Sequence, residues 1–171
     1  WGTILASDPN NPEVVLAGAM KDGVFRSEDF GKTWEKVGLE GTNPSDIDFD
    51  AKTPGRAVLC SMPYNFFLLG NANTVLKPGF YESLDAGKTW TELTDVSPAP
   101  FEVAQMSAAF DGDWVGLFPS LRIKRSKDGG KTWSDFHEGL PEHDPAGVID
   151  ENGVISSWGS VAPFTFAALG V

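Results

Sequence analysis

Carboxylates are the side chains of this sequence that are best suited to chemistry. Its 171 residues hold 24 Asp and Glu against 13 Lys and Arg, for a net charge of −11. Hydrolysis of a glycosidic bond ordinarily requires two carboxyl groups, one on each side of the scissile bond. Acidic residues this common occur on every surface by chance, so a candidate catalytic acid must be chosen by its position in the fold. Five acids fall in segments that the repeat pattern described below assigns to one face: Asp22, Asp46, Asp95, Glu102 and Asp144.

A second candidate is the segment 61–79, which is longer than its counterpart in the first repeat. It carries four residues that suit a sugar: Tyr64, Asn65, Phe66 and Phe67. Aromatic rings stack on the C–H faces of sugars, and amides bond their hydroxyl groups. Long insertions in compact domains are often functional. The alternative is that these rings pack back on the protein or on a neighbouring subunit.

Metal and thiol chemistry are only weakly indicated. One loop holds two histidines and three acids: His137, Glu138, Glu142, His143 and Asp144. This group could hold a metal ion, but a solvated loop is the simpler interpretation. The single cysteine, Cys60, sits in the apolar run 57–60, which predicts a buried strand residue without a disulfide partner in this chain. We therefore predict no metal site and no cofactor.

Charge and hydropathy argue against two classes of partner. An acidic protein without a Lys/Arg cluster repels the phosphates of nucleic acids and of anionic lipids. No run approaches the ~18 apolar residues of a membrane-spanning helix. We therefore predict neither nucleic-acid binding nor membrane insertion. The chain starts at Trp1 without a signal peptide, which fits a mature form or a part of a longer chain.

One octapeptide of the form S-x-D-x-G-K-T-W occurs three times, at 27–34, 83–90 and 126–133. Its Asp can accept hydrogen bonds from backbone N–H groups of its own turn, and its Gly can take a positive φ where the chain reverses. Its Thr and Trp open the next strand, and the Trp can bury its ring between neighbouring sheets. The pattern predicts a β-hairpin tip with structural roles for Ser27, Asp29, Gly31, Thr33, Trp34, Ser83, Asp85, Gly87, Thr89, Trp90, Ser126, Asp128, Gly130, Thr132 and Trp133.

Short strands flank each octapeptide, and a further strand–turn–strand pattern precedes it, as in 5–18 and 47–59. Four strands in ~40–50 residues is the size of a propeller blade. The sequence thus predicts an all-β fold, a partial β-propeller of about three and a half four-stranded antiparallel blades. We place blades at about 2–38, 46–94 and 103–136, and an incomplete one at 146–171. The open edges then require the remaining blades of a larger propeller or a second subunit.

The octapeptide resembles the Asp-box, or bacterial neuraminidase repeat, and the stretch 8–18 is similar to the blades of xyloglucanase-type glycoside hydrolases. The resemblance covers nearly the whole chain. It implies that the Asp-boxes are structural turns at the blade periphery and that ligands bind the opposite face, where the five acids and the segment 61–79 fall. It supplies no catalytic residue, because Lys124 follows Arg122-Ile123 where sialidases carry Arg-Ile-Pro, and Met20 stands where xyloglucanases carry an Asp.

Two functions follow from the resemblance. The first is a fragment of a secreted, glycoside hydrolase-like propeller that acts on polysaccharide. The second is a non-catalytic propeller that binds carbohydrate or protein, similar to sortilin-type receptors and photosystem assembly factors. Carbohydrate is the expected partner, and the expected location is extracellular or periplasmic. The resemblance and the aromatic segment 61–79 support the first function, and the missing catalytic signatures support the second.

Overall fold

The computed structural model describes residues 4–61, 76–95, 105–110, 113–117, 123–136 and 138. These ranges form three four-stranded sheets, which we call blades one, two and three. They contain no helix that is long and apolar enough to cross a membrane. The strands are β1 (Ile4–Asp8), β2 (Asn11–Ala19), β3 (Gly23–Ser27) and β4 (Glu35–Gly38) in blade one, β5 (Pro44–Phe49), β6 (Ala57–Ser61), β7 (Gly79–Ser83) and β8 (Thr91–Leu93) in blade two, and β9 (Gln105–Phe110), β10 (Asp113–Leu117), β11 (Ile123–Ser126) and β12 (Ser134–Asp135) in blade three.

Neighbouring strands in each blade are antiparallel and follow the order of the chain. These sheets confirm the predicted all-β fold class and the partial propeller of four-stranded antiparallel blades. The incomplete blade predicted at 146–171 lies outside the described residues. Strand β5 packs against β1 on one side and against β9 on the other, so the first strand of each blade is innermost.

Connections alternate between the two ends of each blade. The octapeptides join β3 to β4, β7 to β8 and β11 to β12 at one end, which we call the box face. The β2–β3 turn, the β6–β7 connection and the segment 39–43 that leads from blade one to blade two lie at the other end, which we call the loop face. The length of a strand therefore separates the octapeptides from a ligand bound at the loop face.

The hydrophobic core lies between successive blades. Because side chains alternate along a strand, each blade presents one set of apolar residues to the blade before it and another set to the blade after it. Leu16 and Val24 of blade one meet Ile47, Phe49 and Leu59 of blade two in one buried cluster. This packing holds blades one and two together.

The opposite side of blade two packs against blade three. Val58, Cys60 and Phe80 form a second buried cluster with Trp114, whose ring centroid lies 6.4 Å from that of Phe80. Burial raises the pKa of the Cys60 thiol to about 12. The thiol therefore stays protonated and acts as a small apolar side chain, in keeping with the apolar run around it.

The tryptophans of the second and third octapeptides pack against the preceding blade. Trp90 of blade two contacts the cluster shared with blade one, and Trp133 of blade three contacts the cluster shared with blade two. The prediction of a ring buried between sheets is wrong for Trp34, which is 42% exposed. Trp34 belongs to blade one, and no blade among the described residues precedes it. The strand after it begins one residue later than predicted, at Glu35.

Leu16→Ala and Leu5→Ala form a matched pair that tests this arrangement. Leu16 is fully buried between blades one and two, whereas Leu5 is 65% exposed on the other side of blade one. Truncation of a buried Leu lowers the free energy of unfolding by about 2–5 kcal/mol, and truncation of an exposed one changes it by no more than about 0.5 kcal/mol. Urea unfolding at micromolar protein concentration measures both. Equal losses would contradict the assignment of the two sides of blade one.

Candidate functional site

One carboxylate closes each octapeptide turn. In the first, Asp29 Oδ1 accepts hydrogen bonds from the Ser27 hydroxyl at 2.7 Å and from the Thr33 backbone N–H at 2.8 Å. Asp29 Oδ2 accepts from the Thr33 hydroxyl at 2.7 Å. Ser27 Oγ in turn accepts from the backbone N–H of Gly31 at 2.8 Å. Both ends of the turn are thus tied to a single side chain.

The other two octapeptides repeat this network. The N–H and hydroxyl of Thr89 donate to Asp85 at 2.8 and 2.7 Å, and those of Thr132 donate to Asp128 at 2.9 and 2.6 Å. The serine hydroxyl of each turn donates to the same carboxylate at 2.8 Å. The carboxylate oxygens are therefore occupied within their own turns, which suits a structural role and leaves them poorly placed to transfer a proton to a ligand.

These hydrogen bonds favour the ionised carboxylate. The backbone N–H of Thr33 is the main group that lowers the pKa of Asp29 from 3.8 to about 2. The hydroxyl of Thr132 is the main group that lowers the pKa of Asp128, also to about 2. Burial raises the pKa of Asp85, but the hydrogen bonds of its turn outweigh burial and lower the pKa on balance.

Each turn contains two consecutive residues with positive φ. These are Phe30-Gly31 at 59° and 81°, Ala86-Gly87 at 58° and 84°, and Gly129-Gly130 at 71° and 87°. Glycine suits the second position because it has no Cβ to clash with the backbone. At Gly87 a Cβ would also collide with Leu16 of blade one. The glycine is therefore required both by the turn and by the close approach of the preceding blade.

Polar contacts also hold the second octapeptide against blade one. Arg26 Nε donates to the Ala86 carbonyl at 2.7 Å, and the Lys88 ammonium lies 3.5 Å from the Glu28 carboxylate. Arg26 is buried, so its hydrogen bond is made largely out of contact with water. The second octapeptide thus serves as a contact between blades one and two.

Backbone hydrogen bonds join three segments at the loop face. The Lys21 N–H donates to the Thr42 carbonyl at 2.8 Å, and the Gly41 N–H donates to the Lys21 carbonyl at 2.9 Å. The Lys77 N–H donates to the Gly41 carbonyl at 2.8 Å. We call this group, with the neighbouring Asp22, the loop-face rim. Its backbone is fixed by these bonds, while the side chains of Lys21, Asp22 and Lys77 are exposed.

Two of the five predicted acids belong to this end of the molecule. Asp22 is exposed in the β2–β3 turn, next to Lys21. Asp46 is half-buried in β5, the innermost strand of blade two, and therefore lies inside a strand and not in the connection before it. Glu102 and Asp144 lie outside the described residues.

The surroundings of Asp95 differ from the prediction. The sequence places this acid in the loop opposite the octapeptides, but its carboxylate pairs with the Lys131 ammonium of the third octapeptide at 2.9 Å. The hydrogen bond and the opposite charges lower the pKa of Asp95 and raise the pKa of Lys131. Strand β8 is only three residues long, which leaves Asp95 within reach of the third octapeptide. An ionised, ion-paired carboxylate is poorly suited to act as a general acid.

The predicted sugar-binding residues Tyr64, Asn65, Phe66 and Phe67 lie outside the described residues. Ser61 and Lys77, which are described and flank that stretch in the sequence, are bonded to each other at the loop face. The Ser61 hydroxyl donates to the Lys77 carbonyl at 2.6 Å and accepts from the Asn43 N–H at 2.9 Å. His143, Glu142 and His137 also lie outside the described residues. Among the residues that are described, no group of three His, Cys, Asp or Glu could hold a metal ion.

Sequence reasoning missed an arginine network between blades two and three. Arg56 donates to Asp50 at 3.1 Å and to Glu82 at 2.7 Å, and its guanidinium carbon lies 5.8 Å from the ring centroid of Trp114. Asp50 is buried, so these contacts compensate a charge that is removed from water. The sequence does carry a signal for such contacts, since a charged residue precedes each octapeptide serine, at Arg26, Glu82 and Arg125.

Asp85→Ala tests the structural role of an octapeptide carboxylate. Hydrogen bonds to a charged group contribute about 1.5–3 kcal/mol, and the exposure of this turn reduces that figure. We expect a loss of about 1–2 kcal/mol in the free energy of unfolding, measured in urea. Leu84→Ala is the control, because the adjacent Leu84 is exposed. Unchanged stability in Asp85→Ala would contradict the structural role.

Acid should weaken the same turns. The folded-state pKa of Asp29 and Asp128 is about 2, against an ordinary value of 3.8, so the ionised form stabilises the fold. This contribution is complete above about pH 4 and is lost as the pH falls through about 2. We expect the melting temperature to drop over that window, and less so in Asp128→Asn. An NMR titration that gave both carboxylates a pKa near 3.8 would contradict the hydrogen-bond network.

Two protein-family models match the chain at octapeptides. One, described as "BNR-Asp box repeat", matches residues 24–37, and the other, "BNR/Asp-box repeat", matches residues 124–135. The octapeptide at 83–90 makes the same hydrogen bonds as the two that match. No curated protein matches the sequence.

Solved propeller structures resemble the chain. YCF48 from Cyanidioschyzon merolae has a TM-score of 0.57 at 19% identity over 78% of this chain and 37% of that one. YCF48 bound to D1 peptide has a TM-score of 0.55 at 16% identity, over 77% and 39%. The GH74 xyloglucanase from Xanthomonas campestris has a TM-score of 0.56 at 21% identity, over 84% and 23%.

The chain therefore spans well under half the length of each of these structures. Identity this low shows a shared fold and nothing finer. The shared fold agrees with the four-stranded antiparallel blades, and the matched repeats agree with the hydrogen-bonded octapeptide turns. Together these observations identify the chain as an Asp-box β-propeller.

Proposed function

We propose that this chain is the carbohydrate-binding part of a secreted, glycoside hydrolase-like propeller and that its ligand binds the loop face. The observation that carries the proposal is the difference between the two faces. The Asp-box carboxylates are bonded within their own turns, whereas the loop-face rim presents Lys21, Asp22 and Lys77 to solvent on a fixed backbone. Ammonium and carboxylate groups bond sugar hydroxyls. An extracellular or periplasmic location is part of this proposal.

Two further observations support a polysaccharide as the ligand. One neighbour in fold is a xyloglucanase. The stretch that contains Tyr64, Asn65, Phe66 and Phe67 lies in the sequence between Ser61 and Lys77, and these two residues are bonded to each other at the rim. Aromatic rings supplied there would add a stacking surface next to polar groups, which is the composition of a sugar site.

We assign binding, and not hydrolysis, to these blades on their own. A glycosidase needs two carboxyl groups on opposite sides of the bond. Among the described candidates, Asp95 is paired with Lys131 and Asp46 is half-buried in strand β5. Asp22 is then the one predicted acid that is described and exposed at the loop face. Glu102 and Asp144 stay predictions.

A non-catalytic propeller that binds protein is the second candidate function. A neighbour in fold, YCF48, is bound to a D1 peptide. The loop-face rim carries two exposed lysines, Lys21 and Lys77, which would attract acidic side chains of a peptide. This candidate uses the same face, so a competition experiment separates the two ligands.

Tyr64→Ala tests the carbohydrate site. We expect it to weaken binding of xyloglucan oligosaccharides by about fivefold to tenfold, because one stacking ring is lost. Isothermal titration calorimetry measures the affinity, and Leu84→Ala on the box face is the control with unchanged affinity. Equal affinity of Tyr64→Ala and the parent chain would contradict the aromatic site. Absence of oligosaccharide binding, with an acidic peptide bound instead, would favour the second candidate.

Purified residues 1–171 should release no reducing sugar from xyloglucan, whether or not they bind it. The reason is that, of the five predicted acids, Asp22 is the one that is both described and exposed at the loop face. Asp22→Asn and Asp46→Asn serve as comparison variants in the same assay. Turnover by the parent chain that disappears in either variant would overturn the assignment of binding without hydrolysis.

A further inference from the structure

Two lysines of the loop-face rim have no counter-ion among the described residues. Elsewhere in the molecule lysines pair with acids, as Lys131 does with Asp95 at 2.9 Å. The ammonium groups of Lys21 and Lys77 form no such pair with a described residue, although the chain carries 24 acidic residues against 13 basic ones. Both side chains are exposed. The rim of this acidic protein therefore presents two positive charges to solvent.

Glu40, in the segment 39–43, is an acid whose pKa Lys77 affects. The main group that lowers the pKa of Glu40 is its own backbone N–H, followed by Lys36 and, more weakly, by the charge of Lys77. The Lys36 ammonium lies 3.3 Å from the Glu40 carboxylate. Glu40 is thus paired with Lys36, which leaves the Lys77 ammonium available for an anion from outside the protein.

Gly41 lies between the two lysines. Its N–H donates to the Lys21 carbonyl at 2.9 Å, and its carbonyl accepts from the Lys77 N–H at 2.8 Å. Extended backbones bonded in this way lie about 4.8 Å apart, so about 10 Å separates the Cα atoms of Lys21 and Lys77. The Lys77 side chain runs over Gly41, because a Cβ at this glycine would lie 3.6 Å from Lys77 Cε. One fixed backbone therefore carries both ammonium groups, close enough together to contact one extended ligand.

The backbone of Lys21 has a conformation that is unfavourable for lysine. Its φ of 71° lies in the left-handed region, which glycine adopts readily and other residues adopt at a cost. Three neighbouring positions with positive φ are glycines, namely Gly23, Gly38 and Gly41. Leu39, also at positive φ, packs against the core cluster. The Lys21 side chain is exposed, so packing does not explain a lysine at this position, whereas contact with a bound anion does.

We propose that the loop-face rim binds a polysaccharide that carries carboxylate groups, such as a polymer of uronic acids, and that Lys21 and Lys77 each pair with one carboxylate. This inference rests on the carbohydrate binding proposed above and names the class of sugar. Asp22, exposed next to Lys21, accepts hydrogen bonds from the sugar hydroxyls. An acidic peptide suits the rim less well, because it brings carboxylates near Asp22 without hydroxyl groups to donate to it.

Isothermal titration calorimetry with residues 1–171 compares an oligogalacturonate with a neutral xyloglucan oligosaccharide of similar length. We expect the oligogalacturonate to bind at least about fivefold more tightly in low salt, because two exposed ion pairs form. The difference should shrink in high salt, since screening weakens exposed ion pairs. The affinity for the neutral oligosaccharide should change little with salt.

Lys21→Gly and Lys77→Gln test the two lysines in the same titration. Each should weaken oligogalacturonate binding by about twofold to fivefold, because one exposed ion pair is lost. Together they should abolish the preference for the acidic ligand. Lys21→Gly keeps both backbone hydrogen bonds and relieves the strained φ, so it should fold as the parent chain does, which circular dichroism checks. Lys127→Gln is the control, because Lys127 is an exposed lysine of the third octapeptide, on the box face.

The possible failures are distinguishable. Equal affinity for the acidic and the neutral oligosaccharide, or the same loss in Lys127→Gln as in the rim variants, would overturn the acidic sugar and leave carbohydrate binding intact. Binding of neither oligosaccharide would overturn both proposals. A polyglutamate peptide that binds through Lys21 and Lys77 while the oligogalacturonate does not bind would overturn the proposal in favour of an acidic peptide.

Discussion

One carboxylate in each Asp-box holds the turn on which the blades depend. Asp85 accepts from the hydroxyl of Ser83 and from both the backbone N–H and the hydroxyl of Thr89. These bonds keep the backbone of Ala86 and Gly87 at positive φ, which is unfavourable for the alanine without them. The conformation matters beyond the turn, because it sets Gly87 against Leu16 and the Ala86 carbonyl against Arg26 of the preceding blade. A local electrostatic arrangement thereby becomes the contact between two sheets.

The contacts between blades are not symmetric, because the octapeptides of blades two and three pack against the strands of the blades before them. The second and third boxes each face the blade before them, so they are occupied by contacts within the protein, and we propose the loop face as the place where a ligand binds. The backbone bonds among Lys21, Gly41 and Lys77 fix the loop-face rim without using its side chains. On blade one, Leu5 and Trp34 are exposed on the side that faces away from blade two.

Much of the fold could be predicted from the sequence, because the turn chemistry is local. A Ser, an Asp, a Gly and a Thr within seven residues suffice for the box, and alternating apolar residues suffice for the strands. The contacts between blades are harder to predict from the sequence, because they depend on which side of a sheet faces which neighbouring sheet. Trp34 and Trp90 end the same S-x-D-x-G-K-T-W pattern, yet among the described residues only Trp90 has a preceding blade to pack against. Asp95 was misplaced for a similar reason, because its partner Lys131 is distant in sequence.

A double-mutant cycle between Asp85 and Leu16 tests most directly whether the box carboxylate acts through the interface between blades. The two side chains belong to different blades and do not bond each other, so a purely local turn would make their effects on unfolding additive. We predict a coupling of at least about 0.5 kcal/mol when Asp85→Ala and Leu16→Ala are combined, because the loosened turn no longer presses Gly87 onto Leu16. Strict additivity within experimental error would contradict this mechanism and confine the role of the carboxylate to its own hairpin.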